Sequence, residues 1–115
     1  MSVREFPSGA TRDTDNGKVD YEGFLSALVL PRFAEYMHSH RKQSDGKPRD
    51  SDNWQKGIPL DAYMKSLWRH LIEVWTSHRL DPERIYSYDD IQEALCAVIF
   101  NASGYLHEIL KGDDS

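Results

Sequence analysis

Apolar residues recur at helical spacing along two long stretches. Leu60, Met64, Leu67, Leu71 and Val74 follow at intervals of three and four, the period of an amphipathic helix. Pro59 suits the first turn of that helix, where a missing N–H has no partner to lose. Asp61 adds negative charge where the helix dipole favours it. A turn at residues 80–84, LDPER, ends the helix. A second stripe runs through Ile91, Leu95, Val98, Ala102, Leu106 and Ile109. Ser87 is its predicted cap, with Asp90 three residues on in a capping-box-like arrangement, and Gly112 its stop. Upstream the signals are shorter. Asp20 is placed to N-cap a helical turn through Tyr21, Glu22, Phe24 and Leu25. Pro31 then restarts a helix, RFAEYMHSHRK, to about Lys42. Phe24, Leu28, Phe33 and Met37 supply the apolar face there.

Two segments lack any such period. Residues 1–19 read as an extended or looped N-terminal arm, punctuated by Pro7, Gly9 and Gly17. Residues 42–57, KQSDGKPRDSDNWQKG, exceed what a simple helix connection needs. Loops of that length in a compact domain are usually functional or disordered, and Asn53, Trp54 and Gly57 predict order in the second half. The pattern therefore predicts one all-α domain, 1–115, with two long helices and one or two shorter ones. Apolar stripes this wide on two long helices predict a homodimer or a higher closed homo-oligomer.

Composition narrows the class. The 115 residues allow one modest core, and an apolar fraction of 39% with three Trp fits a folded globule. No run of about 18 apolar residues predicts a membrane span, and the N-terminus has no apolar signal-peptide stretch. Cys96 is the single cysteine, which excludes an internal disulfide framework and a cysteine zinc cluster. A cytoplasmic protein is expected. The net charge of −5 is concentrated beyond residue 80 and speaks against non-specific DNA binding. A local cationic pocket for a small anion stays open, because a cleft focuses its own field.

Candidate chemistry lies mainly beside the central helix. Lys65, Arg69 and Glu73 stand at i, i+4 and i+8, with Ser66 and His70 next to them, giving a cationic row along one flank. The plain alternative is a solvated face on which Arg69 pairs with Glu73. Arg12, in the small-residue run from Ser8 to Thr14, and Lys56 come from loops; each is either a phosphate contact or an ordinary surface charge. Trp54 is either a stacking platform for a base or a lid over the core. Asn101 interrupts an apolar run, VIFNASGYL, and serves either a helix hydrogen bond or a ligand edge. His38 and His40 are poor metal ligands, since i and i+2 do not share a helix face. Cys96, in an apolar stripe, reads as an inert small hydrophobe.

Taken together, GATRDT…GKVDYEGFLS…EYMHSHRKQSDG…RDSDNWQKGIPLDAYMKSLWRHL…ALCAVIFNASGYLHEIL resembles the phage-associated family of dATP/dGTP diphosphohydrolase N-terminal domains. The likeness runs from about Phe6 to Lys111. Its most specific parts are Asn53-Trp54, Gly57, Tyr63 and Arg69-His70, followed by an alanine-rich helix bearing Asn101. The resemblance implies a purine nucleotide ligand and a phage or prophage protein at work in the cytoplasm of an infected bacterium. It singles out Arg12, Asn53, Trp54, Lys56, Tyr63, Arg69, His70 and Asn101 as site residues, to which the helical row adds Lys65.

Two functions follow as expectations. All-α nucleotide pyrophosphohydrolases hold Mg²⁺ with a Glu-Glu-x-x-Glu run and a later Glu-x-x-Asp, and neither run occurs here. Asp89, Asp90 and Glu93 come nearest, in the first turn of the last helix, where capping explains them. The expected function is thus to bind and sequester a purine nucleotide, such as a cyclic oligonucleotide or an ADP-ribose-type immune signal, with no cofactor. The alternative is a Mg²⁺-dependent dATP/dGTP diphosphohydrolase releasing the monophosphate and pyrophosphate, with Glu35, Glu73 and His70 as its metal arrangement.

Overall fold

The computed structural model describes residues 3–14, 16–83 and 89–112. In chain order these form β1 (Val3–Glu5), β2 (Thr11–Asp13), α1 (Tyr21–Phe24), α2 (Val29–Ser39), a 3-10 turn (Asn53–Lys56), α3 (Leu60–Leu80) and α4 (Asp89–Lys111). The fold is predominantly helical, as the periodicity predicts. The predicted arm at 1–19 contains instead an antiparallel hairpin, with Val3 opposite Asp13 and Glu5 opposite Thr11. Its turn closes through Phe6 N–H to Ala10 O at 2.8 Å and Gly9 N–H to Phe6 O at 2.8 Å. Gly9 adopts φ +90°, a conformation glycine enters at no steric cost.

Caps explain the helix boundaries. Asp20 Oδ1 accepts from Gly23 N–H at 3.0 Å, which fixes α1 where the sequence places it. Ser26 Oγ accepts from both Leu28 and Val29 N–H, at 3.2 and 3.1 Å. Those bonds satisfy donors at the start of α2, so the helix begins two residues before Pro31. Pro31 then sits in the first turn, where its missing N–H is harmless. The helix also ends earlier than Lys42, at Ser39, because the chain folds back at once into a tight turn described below. Pro59 stands one position outside α3 and its carbonyl accepts from Ala62 N–H at 3.0 Å. Gly112, at φ +70°, follows the end of α4 as expected. The cap predicted at Ser87 lies outside the described residues.

The buried core takes only Ile91 from the two predicted stripes. α3 and α4 pack along a narrow seam whose buried residues are Tyr63, Ile91, Ala94, Cys96, Ala97, Asn101 and Gly104. Of the stripe predicted for α4, Leu95, Leu106 and Ile109 remain 43–56% exposed. Small residues win the seam because they let the two backbones approach closely, and the Tyr63 ring then fills the space over Gly104. α2 is pinned across α4 by Arg32, whose Nε donates to Gln92 Oε1 at 2.8 Å and whose Nη2 reaches Glu93 Oε2 at 3.2 Å.

A Cβ added to Gly104 would run into the Tyr63 ring. Gly104→Ala gains about 1 kcal/mol of helix propensity but overpacks the seam, which costs about 1–3 kcal/mol or more. The expected net result is a fall in melting temperature of several degrees, measured by thermal denaturation of the ligand-free protein. An unchanged or raised midpoint would show that Tyr63 is not held over the glycine.

Candidate functional site

The 41–57 segment builds the site in two ordered pieces. Its first half is a small closed turn. Gln43 N–H donates to Lys47 O at 3.0 Å and Gly46 N–H to Gln43 O at 2.9 Å, with Gly46 at φ +84°. The base of the turn is locked by two arginines that reach across it. Arg41 Nε donates to Arg49 O at 2.8 Å, Arg49 N–H to Arg41 O at 2.7 Å, and Arg49 Nη2 to His40 O at 2.6 Å. The last of these satisfies a carbonyl just beyond the end of α2. Neither guanidinium has a carboxylate partner among the described residues.

The second half is the 3-10 turn, which α4 holds in place. Glu108 Oε1 accepts from Ile58 N–H at 3.1 Å. Lys111 Nζ lies 3.2 Å from Glu108 Oε2 and donates to Gln55 O at 3.4 Å. These bonds seat Trp54 edge-on against Phe100 and His107, with ring centroids 6.2 and 4.7 Å away.

Between the two pieces lies a cleft of about 190 Å³. Trp54, Phe100, Ile58, Met37 and Tyr36 give it apolar walls. Asn53, Arg41 and Arg49 supply donors at its edge, together with Ser51, His40 and one carboxylate, Asp50. An apolar slot with a few convergent polar groups is the usual form of a small-molecule site. Burial and the nearby Glu93 carboxylate hold the Tyr36 hydroxyl above its ordinary pKa, so it is a neutral donor at physiological pH.

A second cavity of about 310 Å³ shares Tyr36 and His40 with the first. His70, Glu73, Asp90 and Glu93 line it. His40 Nε2 is 3.6 Å from Glu93 Oε1, and His70 Nδ1 is 3.4 Å from Glu73 Oε1. The latter pair is not aligned for a hydrogen bond, so His70 Nδ1 is buried without a hydrogen-bond partner among the described residues. Among the described residues, no three His, Cys, Asp or Glu side chains converge on one metal position. Of the three residues considered for the diphosphohydrolase, His70 and Glu73 share this cavity and Glu35 does not line it.

The nine residues singled out in the sequence are dispersed. Asn53 and Trp54 wall the first cleft and His70 lines the second. Tyr63 is 2% exposed, edge-on to Phe100 at 5.8 Å, and supports the cleft from behind. Asn101 is buried and donates to Ala97 O of its own helix at 2.7 Å. Lys56, Lys65 and Arg69 are exposed and line neither cavity. Arg12 stands on the exposed hairpin, opposite Arg4. Arg41, Arg49, Tyr36 and Phe100 complete the cleft without having been singled out. The signal for the two arginines was present: Ser44-Asp45-Gly46 is a turn sequence midway between them, which places 41 and 49 side by side. Cys96 is buried, and burial pushes its thiol up, consistent with an inert side chain.

Compared with known proteins, the chain matches no family model, no curated protein and no solved structure. No described helix is long and apolar enough to cross a membrane.

Proposed function

We propose that the protein binds a purine nucleotide in the Trp54 cleft and sequesters it without cleavage, as a phage-type homo-oligomer acting on a nucleotide signal of host immunity. One observation carries the reading: an aromatic slot bordered by two guanidinium groups that form no ion pair among the described residues. Trp54 offers a face to a base. Asn53 can donate and accept at a base edge. Arg41 and Arg49 present planar forks that match phosphate oxygens, and both are already positioned by bonds to main-chain carbonyls. The pre-set turn lowers the ordering cost of binding. The resemblance to the diphosphohydrolase N-terminal domains supports the choice of a purine.

In the alternative, the same cleft holds dATP or dGTP and the adjoining cavity supplies His40, His70, Glu73 and Glu93 to hydrolysis. One experiment separates the two. The protein is incubated with a panel of dATP, dGTP, cyclic oligonucleotides and ADP-ribose in the presence of Mg²⁺, then denatured and its ligands chromatographed. Sequestration predicts a tight complex that returns the ligand intact. Release of the monophosphate and pyrophosphate would establish the hydrolase instead, and failure to retain or convert any nucleotide would sink both.

A further inference from the structure

The chain exposes more surface than a compact monomer of its mass. A folded monomer of 13.3 kDa exposes about 6,500 Å², whereas this chain exposes 9389 Å². Its radius of gyration is 19.5 Å, against about 13 Å for a compact chain of this length. A standard protein interface takes only about 800 Å² from each partner, so the excess is ample for one.

Part of the exposed apolar surface lies together on α3. Trp68, Leu71, Ile72 and Trp75 are 58, 40, 45 and 56% exposed and line a shared groove of about 340 Å³. With Met64, also 39% exposed, the residues 64, 68, 71 and 75 follow a 4-3-4 spacing. That is the a/d pattern by which one helix packs along another. The stripe is also self-complementary. Trp68 and Trp75 are equidistant from the midpoint between Leu71 and Ile72. Asp61 lies in the first turn and Arg79 in the last, five turns apart and so on the same flank of the stripe. Neither forms an ion pair among the described residues.

We infer that α3 pairs antiparallel with α3 of a second copy of this chain, about a two-fold axis at Leu71–Ile72. Trp68 packs against the partner's Trp75, and Asp61 lies beside the partner's Arg79, each contact occurring twice as a two-fold interface requires. The groove between the two tryptophans receives the partner's Trp ring. A second copy fits because the four groove residues map onto one another when the helix is reversed, and Asp61 then falls within one turn of the partner's Arg79. His70 and Glu73 occupy the flank away from the stripe, so the Trp54 cleft and its neighbour stay open in the dimer.

Light scattering on the full chain at micromolar concentration is expected to give twice the 13.3 kDa monomer mass. Trp68→Glu should give the monomer or lose the fold; either outcome is interpreted through two milder variants. Asp61→Lys and Arg79→Glu, each alone, place like charges together and should weaken dimerisation at least tenfold by analytical ultracentrifugation at low salt. The double variant Asp61→Lys/Arg79→Glu restores opposite charges and should recover the wild-type constant. A monomeric wild type would overturn the inference. So would a dimer that none of the charge variants perturbs, or one that the double variant fails to restore.

Discussion

Trp54→Ala is expected to lower nucleotide affinity by about one to two decades. A stacked base is worth about 1–3 kcal/mol, and each 1.4 kcal/mol is tenfold in Kd. Trp54 also touches Phe100 and His107, so its removal bares part of α4 as well as the cleft. The two effects separate by temperature and by a second variant. Trp54 is only half-buried, so the ligand-free melting temperature should fall modestly. Trp54→Phe keeps an aromatic face and should keep most of the affinity. Calorimetric titration beside thermal melts reads both quantities. Equal affinity in Trp54→Ala and wild type would return Trp54 to a lid over Phe100 and remove the base from this cleft.

The sequence carried the helices well and their packing faces poorly. α1, α3 and the end of α4 fall close to prediction because local chemistry sets them: the Asp20 cap, Pro59 with Asp61, and Gly112. Which side of α4 would face α3 was not legible from periodicity. Leu95, Leu106 and Ile109 form the stronger apolar stripe, yet Ala94, Ala97 and Gly104 take the seam, because the distance between backbones is set by the smallest residues available. The same division holds at the site. Asn53 and Trp54 stand out by composition and do line a cleft. Arg69 stands out by its place in a helical row, yet is exposed and lines neither cavity. Arg41 and Arg49 lacked any period and become neighbours only when the Gly46 turn closes. Asn101 had two readings in the sequence; the described bond is to its own helix.

The two sets of cations can now be tested against each other. Arg41→Gln removes a charge at the cleft but leaves a side chain able to donate toward Arg49 O. Arg49 is the poorer choice for substitution, since its Nη2 bond to His40 O stabilises the end of α2 and its loss would confuse binding with folding. A hydrogen bond to a charged group is worth about 1.5–3 kcal/mol. Arg41→Gln should therefore weaken nucleotide binding about 10- to 100-fold while the ligand-free protein melts close to wild type. Added salt should weaken wild-type binding more steeply than that of the variant, because one fewer charge faces the phosphates. Arg69→Ala, on the outer flank of α3, should change affinity less than twofold. Ligand should raise the melting temperature of wild type and Arg69→Ala alike, by mass action, and that of Arg41→Gln far less. The opposite pattern, with affinity lost in Arg69→Ala and kept in Arg41→Gln, would place the phosphates along Lys65 and Arg69 and leave the Trp54 cleft without a ligand.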